Sequence, residues 1–446
     1  SPLRGDYIIQ GTAGSGKTTV ALHRIAYLLY NEAKNISEAD FMILGPNKYF
    51  LNYISDLLPD LDIKNVSQLT FEEIAMKYMG ISKVKLESKN KTLQEVLAGN
   101  VSAKVIEDKS SIAYLKLLEN FVDLYVNSHL KDDVEYEGMK ICSADEIKRY
   151  LNKSVFSTDK GYAEKANQYM KILIKKVKDN SDDLTHDVWL KYREEYLGLP
   201  KDSPRRKEIL EEVDKIQKEI KKGCPTSIKN YFKFMKVNPI IIYQAFLENL
   251  NVLVQDNHNI LKEIQDYTLS RISKKQIGFE DLSPLLLINY CLNGIKDFKD
   301  FSYLVIDEAQ DLSLAQYYVL KKLFPSAKFN VFGDVNQSIY DYQSIHDWDE
   351  LNNVIFDNKA SMLDLNKSYR TTVNISDASN LILNHLGQNN SECVARMGDE
   401  VVTNDDISEV TLISQIKSLL DKEYQSIAII CKDEKESANV YKKLSK

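Results

Sequence analysis

The octapeptide Gly11-Thr12-Ala13-Gly14-Ser15-Gly16-Lys17-Thr18 constrains this chain more than any other stretch of it. It satisfies G-x-x-x-x-G-K-[ST] at every fixed position, directly after the apolar run Tyr7-Ile8-Ile9 and directly before a helical pattern. Backbone N–H groups must turn inward around phosphate oxygens, and Gly11, Gly14 and Gly16 keep Cβ atoms out of that loop. Thr12, Ala13 and Ser15 fill the variable positions. A helix starting near Lys17 points its positive end at the bound anion. Lys17 is placed to reach the β- and γ-phosphates of ATP, and Thr18 to offer its hydroxyl to Mg2+.

Such a loop needs a carboxylate that holds the metal through its water shell. Leu304-Val305-Ile306-Asp307-Glu308-Ala309-Gln310-Asp311 supplies one at the end of an apolar strand, where ligands gather in open α/β sheets. Asp307 is the expected Mg2+ ligand. Glu308 is the expected general base that polarises the attacking water.

The rest of the chain fits an α/β fold with a parallel sheet. A helix is predicted from about residue 17 to 33, with Val20, Ala21, Ile25, Leu28 and Leu29 on one face. Phe41-Met42-Ile43-Leu44 reads as a second strand stopped by Gly45-Pro46, and a helix follows over about 49–58. Residues 76–277 then turn Lys/Glu-rich and helical by period. Their clearest piece is 204–222, where Ile209, Val213, Ile216 and Ile220 mark a two-helix seam that Gly223-Cys224-Pro225 ends. Strand patterns resume at 303–306 and 329–332. Further β runs at 362–365 and 427–430 carry helices from about 373 and 435. One α/β domain is thus interrupted by a helical insertion, and a second α/β unit is expected from about residue 356.

Composition excludes several classes. Hydrophobic content is 43%, and no apolar run is long enough to span a membrane. Cys142, Cys224, Cys291, Cys393 and Cys431 are scattered without a CxxC pair, which argues against a disulfide framework or zinc site and fits a reducing, cytoplasmic setting. His23, His186, His258, His346 and His385 show no metal spacing, and Trp189 and Trp348 read as packing anchors. The net charge of −7 is not that of a generally basic nucleic-acid binder. The opening Ser1-Pro2-Leu3-Arg4 reads as a piece excised from something longer.

Asp307-Glu308-Ala309-Gln310-Asp311, Gly333-Asp334-Val335-Asn336-Gln337-Ser338-Ile339-Tyr340 and Leu365-Asn366-Lys367-Ser368-Tyr369-Arg370-Thr371-Thr372 together resemble the UvrD/Rep group of superfamily 1A helicases. The resemblance covers roughly residues 1–75 and 278–446. Pro2-Leu3-Arg4-Gly5, the Ala21–Tyr30 helix and the helical insertion look most like the DNA helicase IV/HelD branch, several members of which act on RNA polymerase. The resemblance implies a first RecA-like domain over 1–75 and 278–355, a 1B-like insertion over 76–277 and part of a second RecA-like domain over 356–446. It implies that Gln337 senses the γ-phosphate, that Arg370 reaches that phosphate, and that Tyr369 stacks on adenine. Tyr340 reads as structural.

Departures from the family pattern bear on the nucleic-acid track, for which Asn47, Lys48, Thr70 and Tyr342 are the candidate contacts. Gly45 stands where relatives that walk on single strands carry an aromatic, Glu72 where they carry His, and Tyr342-Gln343 where they carry Trp-Arg. Tyr342 can stack on a base or be a plain surface aromatic. Thr19 stands where relatives place an Arg against the base. The family's upstream glutamine motif and its C-terminal Lys-Gly-Leu-Glu-Phe-like and Thr-Arg-Ala-like segments are not found. A charge-stabilising arginine contributes about 10³–10⁵ in rate, so weak ATP–Mg2+ binding and slow hydrolysis are expected. Two working modes follow: a monomeric single-stranded DNA translocase, or a remodeller acting at RNA polymerase. A non-hydrolysing ATP-sensing scaffold is the remaining alternative, disfavoured by Lys17, Asp307 and Glu308.

Overall fold

The computed structural model describes residues 5–444 apart from 33, 82, 153–159, 180–185, 255–257, 295–299, 389 and 406–407. Residues 1–4, with most of the Pro2-Leu3-Arg4-Gly5 motif, lie outside the described residues.

Strands that are apolar at nearly every position must be covered on both faces, and this dictates the architecture. Strands β1 (Tyr7–Gly11), β2 (Phe41–Gly45), β3 (Ser67–Thr70), β4 (Tyr303–Ile306), β5 (Lys328–Gly333) and β6 (Ser361–Leu365) form one six-stranded sheet in the order β6-β1-β5-β4-β2-β3. Every neighbouring pair is parallel. Alternate side chains point to opposite faces. Tyr7, Ile9, Phe41, Ile43, Tyr303, Val305 and Phe332 meet the helices Lys17–Asn31 and Lys48–Leu57 on one side. Ile8, Met42, Leu44, Leu304, Ile306, Phe329 and Val331 meet Phe71–Tyr78, Leu282–Asn293, Leu314–Leu323 and Trp348–Phe356 on the other.

The second of these cores continues without a break into the helices between the two halves of the sheet. Leu115, Leu118 and Val122 of Ile112–His129 and Tyr243, Phe246 and Leu250 of Pro239–Leu253 belong to it. A buried charge cluster holds the same junction. Lys109 donates to Asp281 Oδ1 at 2.5 Å and to Thr268 Oγ1 at 2.9 Å. Asp281 also accepts from the Tyr243 hydroxyl and from the Gly278 N–H. Arg271 pairs with Glu280, Glu87 and Glu95.

Four expectations are corrected. The strand at 361–365 does not open a second domain. It pairs along β1, Ile8 beside Met362 and Ile9 beside Leu363, and covers the edge that β1 would otherwise leave open. The compact first unit accordingly runs to Lys367 and the second from Ser368, not from about 356. The seam helix does not end at Gly223-Cys224-Pro225 but runs Pro204–Tyr231. Pro225 removes one backbone hydrogen bond, yet Ile220, Cys224 and Ile228 continue the buried stripe through it, and their burial offsets that loss. The helix after the phosphate loop ends at Asn31, with Leu22 on its buried face in place of the exposed Val20. Finally, 427–430 is not a strand: no ladder partner exists for it among the described residues, and Ile430 is 95% exposed.

The second unit has helices Val373–His385 and Glu434–Leu444, close to where the sequence predicts them, and a further helix, Glu409–Asp421, that the sequence reading did not include. The Val394 N–H donates to the Ser368 carbonyl at its start. Among the described residues no helix is long and apolar enough to cross a membrane, and the five cysteines are free.

Candidate nucleotide site and adjoining groove

β1 delivers the phosphate loop at its C-terminal end. Gly14 (φ 74°) and Gly16 (φ 84°) adopt left-handed backbone that a side chain would strain. Lys17 opens the following helix, and its ammonium folds back over the loop to donate to the carbonyls of Gly11 (2.7 Å) and Thr12 (3.4 Å). β4, two strands away, ends in Asp307, whose N–H donates to Leu44 O of β2 at 3.0 Å. The two strand ends meet: Thr18 Oγ1 donates to Asp307 Oδ2 at 2.6 Å.

Asp307 is 3% exposed. Burial pushes its carboxyl up to about 6; the Thr18 hydroxyl opposes this, the Glu308 charge adds to it, and the Glu308 N–H and Lys17 pull it back. A hydroxyl and a buried carboxylate oxygen 2.6 Å apart, facing an anion cradle, are the hard donors Mg2+ takes alongside phosphate and water. The donor set therefore fits that ion.

Glu308 has φ 49°, left-handed backbone for a residue with a side chain, which swings its carboxylate out of the strand direction. Its Oε2 accepts from the Gln310 amide at 2.8 Å. Gln310 Oε1 accepts in turn from the Asp334 N–H at 2.9 Å, just past the end of β5. Asp334 Oδ2 accepts from the Gln337 amide, and its Oδ1 from Gln10 at 2.7 Å. The first-unit candidates Gly11 to Thr18, Asp307, Glu308 and Gln337 thus gather at one end of the sheet. Thr19 is exposed beside Val20, His23 and Tyr27 on the outer face of the helix. Tyr369 (63% exposed) and Arg370 belong to the second unit, where the Arg370 carbonyl accepts from Arg396.

A groove of about 890 Å³ leads away from Asp307 and Glu308, lined by Asn47, Lys48, Thr70, Glu72, Lys89 and Tyr340 among others. Asn47 and Thr70 cap the helices that follow them, accepting from the N–H groups of Phe50 and Glu73. Lys48 pairs with Glu73 at 3.1 Å. A Cβ on Gly45 would come within 2.7 Å of Leu51 Cδ2, so a side chain here requires Leu51 to move. Tyr342 packs against the core with its hydroxyl buried.

Sequence reasoning missed Lys89. Its ammonium lies 4.1 Å from the Phe279 ring centroid and 5.3 Å from that of Tyr340. Burial lowers its pKa to about 8, against the opposing pull of Asp311 and Glu72. It also missed Gln10, whose Oε1 accepts from the indole N–H of Trp348, the buried residue read from sequence as a packing anchor. A lone polar residue in an apolar strand was the available signal for Gln10.

A family model described as the UvrD/REP helicase N-terminal domain matches residues 1–346. The ATP-dependent DNA helicase PcrA of Leuconostoc citreum is 30% identical over 166 residues, 33% of this chain and 21% of the relative. The ATP-dependent DNA helicase Rep of Buchnera aphidicola subsp. Schizaphis graminum is 32% identical over 135 residues, 28% of this chain and 20% of the relative. The protein of the same name from Buchnera aphidicola subsp. Acyrthosiphon pisum is 33% identical over 146 residues, 30% of this chain and 22% of the relative. The aligned stretch is thus about a fifth of each relative's length.

Proposed function

The chain belongs to the UvrD/REP helicase family, with the RecA-like α/β fold of that family's N-terminal domain, and we propose that it works as an ATP-driven motor on nucleic acid. The observation that carries this reading is the 2.6 Å contact between Thr18 and Asp307, which joins the phosphate loop to the acidic strand. In this reading Lys17 exchanges the Gly11 and Thr12 carbonyls for the β- and γ-phosphates. Thr18 and Asp307 hold Mg2+, which when bound screens the phosphate charge. Glu308 takes the proton of the water that attacks the γ-phosphorus, the bond to the β-phosphate oxygen breaks, and ADP and phosphate leave. Gln337 contacts the γ-phosphate side of the site. On family resemblance alone, Tyr369 is proposed as an adenine contact and Arg370 as a γ-phosphate contact.

The adjoining groove is the proposed single-strand track, a reading supported by the similarity to DNA helicases. A second reading, remodelling at RNA polymerase in the manner of the DNA helicase IV/HelD branch, is supported by the missing ring at Gly45 and the half-buried Tyr342, while Tyr49 and Tyr340 still give the groove aromatic surface. Both readings take the protein as cytoplasmic. Titrating ATP turnover with single-stranded DNA, and separately with RNA polymerase, distinguishes them. Stimulation by DNA with a steep salt slope supports the translocase. Polymerase binding without DNA stimulation supports the remodeller. No binding of Mg2+·ATP sinks the motor itself.

The track carries its own pH signature. Lys89 is charged below about pH 8 and neutral above it, so its attraction for a backbone phosphate is present at pH 7 and lost by pH 9. Affinity for single-stranded DNA at fixed ionic strength is expected to fall about tenfold over that interval. Lys89→Met binds more weakly at pH 7 and loses that pH dependence. An unchanged pH profile in the variant, measured by fluorescence anisotropy, removes Lys89 from the track.

A further inference from the structure

β1 carries one polar side chain between its apolar residues and the phosphate loop, Gln10. Nothing in the phosphate-loop motif specifies it, and its partners lie 324 to 338 residues downstream. Its Nε2 donates to Asp334 Oδ1 at 2.7 Å, and its Oε1 accepts from the Val335 N–H at 3.3 Å and from the Trp348 indole. The other oxygen of Asp334 accepts from the Gln337 amide. Trp348 is buried, and its ring lies against Gly333, the last residue of β5.

We propose that Gln10 is a positioning residue that fixes Asp334, and with it the resting place of Gln337, to the strand that ends in the phosphate loop. This rests on the motor reading of the same site. Only an amide of this length both donates to the carboxylate and accepts from the backbone and the indole: Glu has no donor when ionised, and Met has neither group. When Gln337 turns to a bound nucleotide, Asp334 loses one donor and keeps the Gln10 amide. The rearrangement therefore reaches β1 and Trp348 through Gln10.

The chain has two tryptophans, so Trp189→Phe leaves Trp348 as the only one, excited selectively at the red edge of absorption where tyrosine does not absorb. Trp189 packs on Tyr196, away from the site. In that background Mg2+·ATP is expected to change the emission. Gln10→Met abolishes the change while the dissociation constant from equilibrium dialysis stays within about threefold, since no phosphate contact is lost. In the nucleotide-free chain, Gln10→Met also speeds amide exchange at Val335 by about tenfold, as expected for an N–H that loses its acceptor. Gln10→Glu sets two carboxylates against each other and also speeds exchange at Val335, and combining it with Asp334→Asn restores slow exchange at Val335, because the new amide donates to the new carboxylate.

Wild-type exchange in Gln10→Met, or a failure of the swap to restore it, overturns the proposal. So does an emission response that survives Gln10→Met. If the Trp189→Phe parent binds no Mg2+·ATP, the motor reading fails instead, and the nucleotide-free exchange still decides the role of Gln10.

Discussion

Glu308→Gln is expected to lower ATP turnover by about 10²–10⁴-fold, the contribution of a well-placed general base. Nucleotide binding should barely change. The substituted amide keeps an oxygen that can accept from Gln310, so the bond now made at 2.8 Å survives, and Thr18 still reaches Asp307. Lys17 and the loop amides, which hold the phosphates, are untouched. What disappears is the site that takes a proton from water. A phosphate-release assay beside equilibrium dialysis reads the two effects separately. Turnover within a factor of about three of the parent would remove Glu308 from the chemistry. Loss of binding in step with turnover would make it a ligand for the metal instead.

The second large effect is on stability and lies outside the site. Asp281→Ala leaves the Lys109 ammonium, which is wholly buried, with Thr268 as its remaining hydrogen-bond partner among the described residues. It also strips an acceptor from the Tyr243 hydroxyl and another from the Gly278 N–H. The ion pair with the buried Glu280 carboxylate, 3.7 Å from the Lys109 ammonium, survives, so the expected loss is about 1–3 kcal/mol, the cost of stripping partners from buried polar groups. The double replacement Lys109→Met with Asp281→Leu should recover only part of that loss, since Glu280 keeps Arg271 as its ionic partner but the Tyr243 hydroxyl and the Gly278 N–H still lack their acceptor. Urea denaturation followed by circular dichroism measures both. A loss below about 1 kcal/mol for the single change would mean that water reaches the cluster.

The parts that could be read from sequence are those whose signal is local. The phosphate loop is written in eight consecutive residues, and the acidic strand in a short apolar run ending in two carboxylates. The seam at Ile209, Val213 and Ile220 is a spacing rule within one helix. Errors arose where a distant partner decides. Nothing in Met362-Leu363-Asp364-Leu365 says that it pairs with β1, more than 350 residues earlier, rather than beginning a new sheet. Nothing near Pro225 announces that Ile228 is still part of a buried stripe. Lys89 reads as one more surface lysine until Phe279 and Tyr340 close on it.

The last strand of the sheet also has a mechanical meaning. β6 stands two residues before the second unit begins, and the carbonyl of its final residue, Leu365, accepts from the N–H of Thr12 inside the phosphate loop. Tension carried along the backbone from Ser368 therefore enters the sheet through the β6–β1 ladder, beside the phosphate loop. The anchorage of the second unit and the wall of the nucleotide cradle are the same hydrogen-bonded seam, so a tug on one is felt by the other without any lever between them.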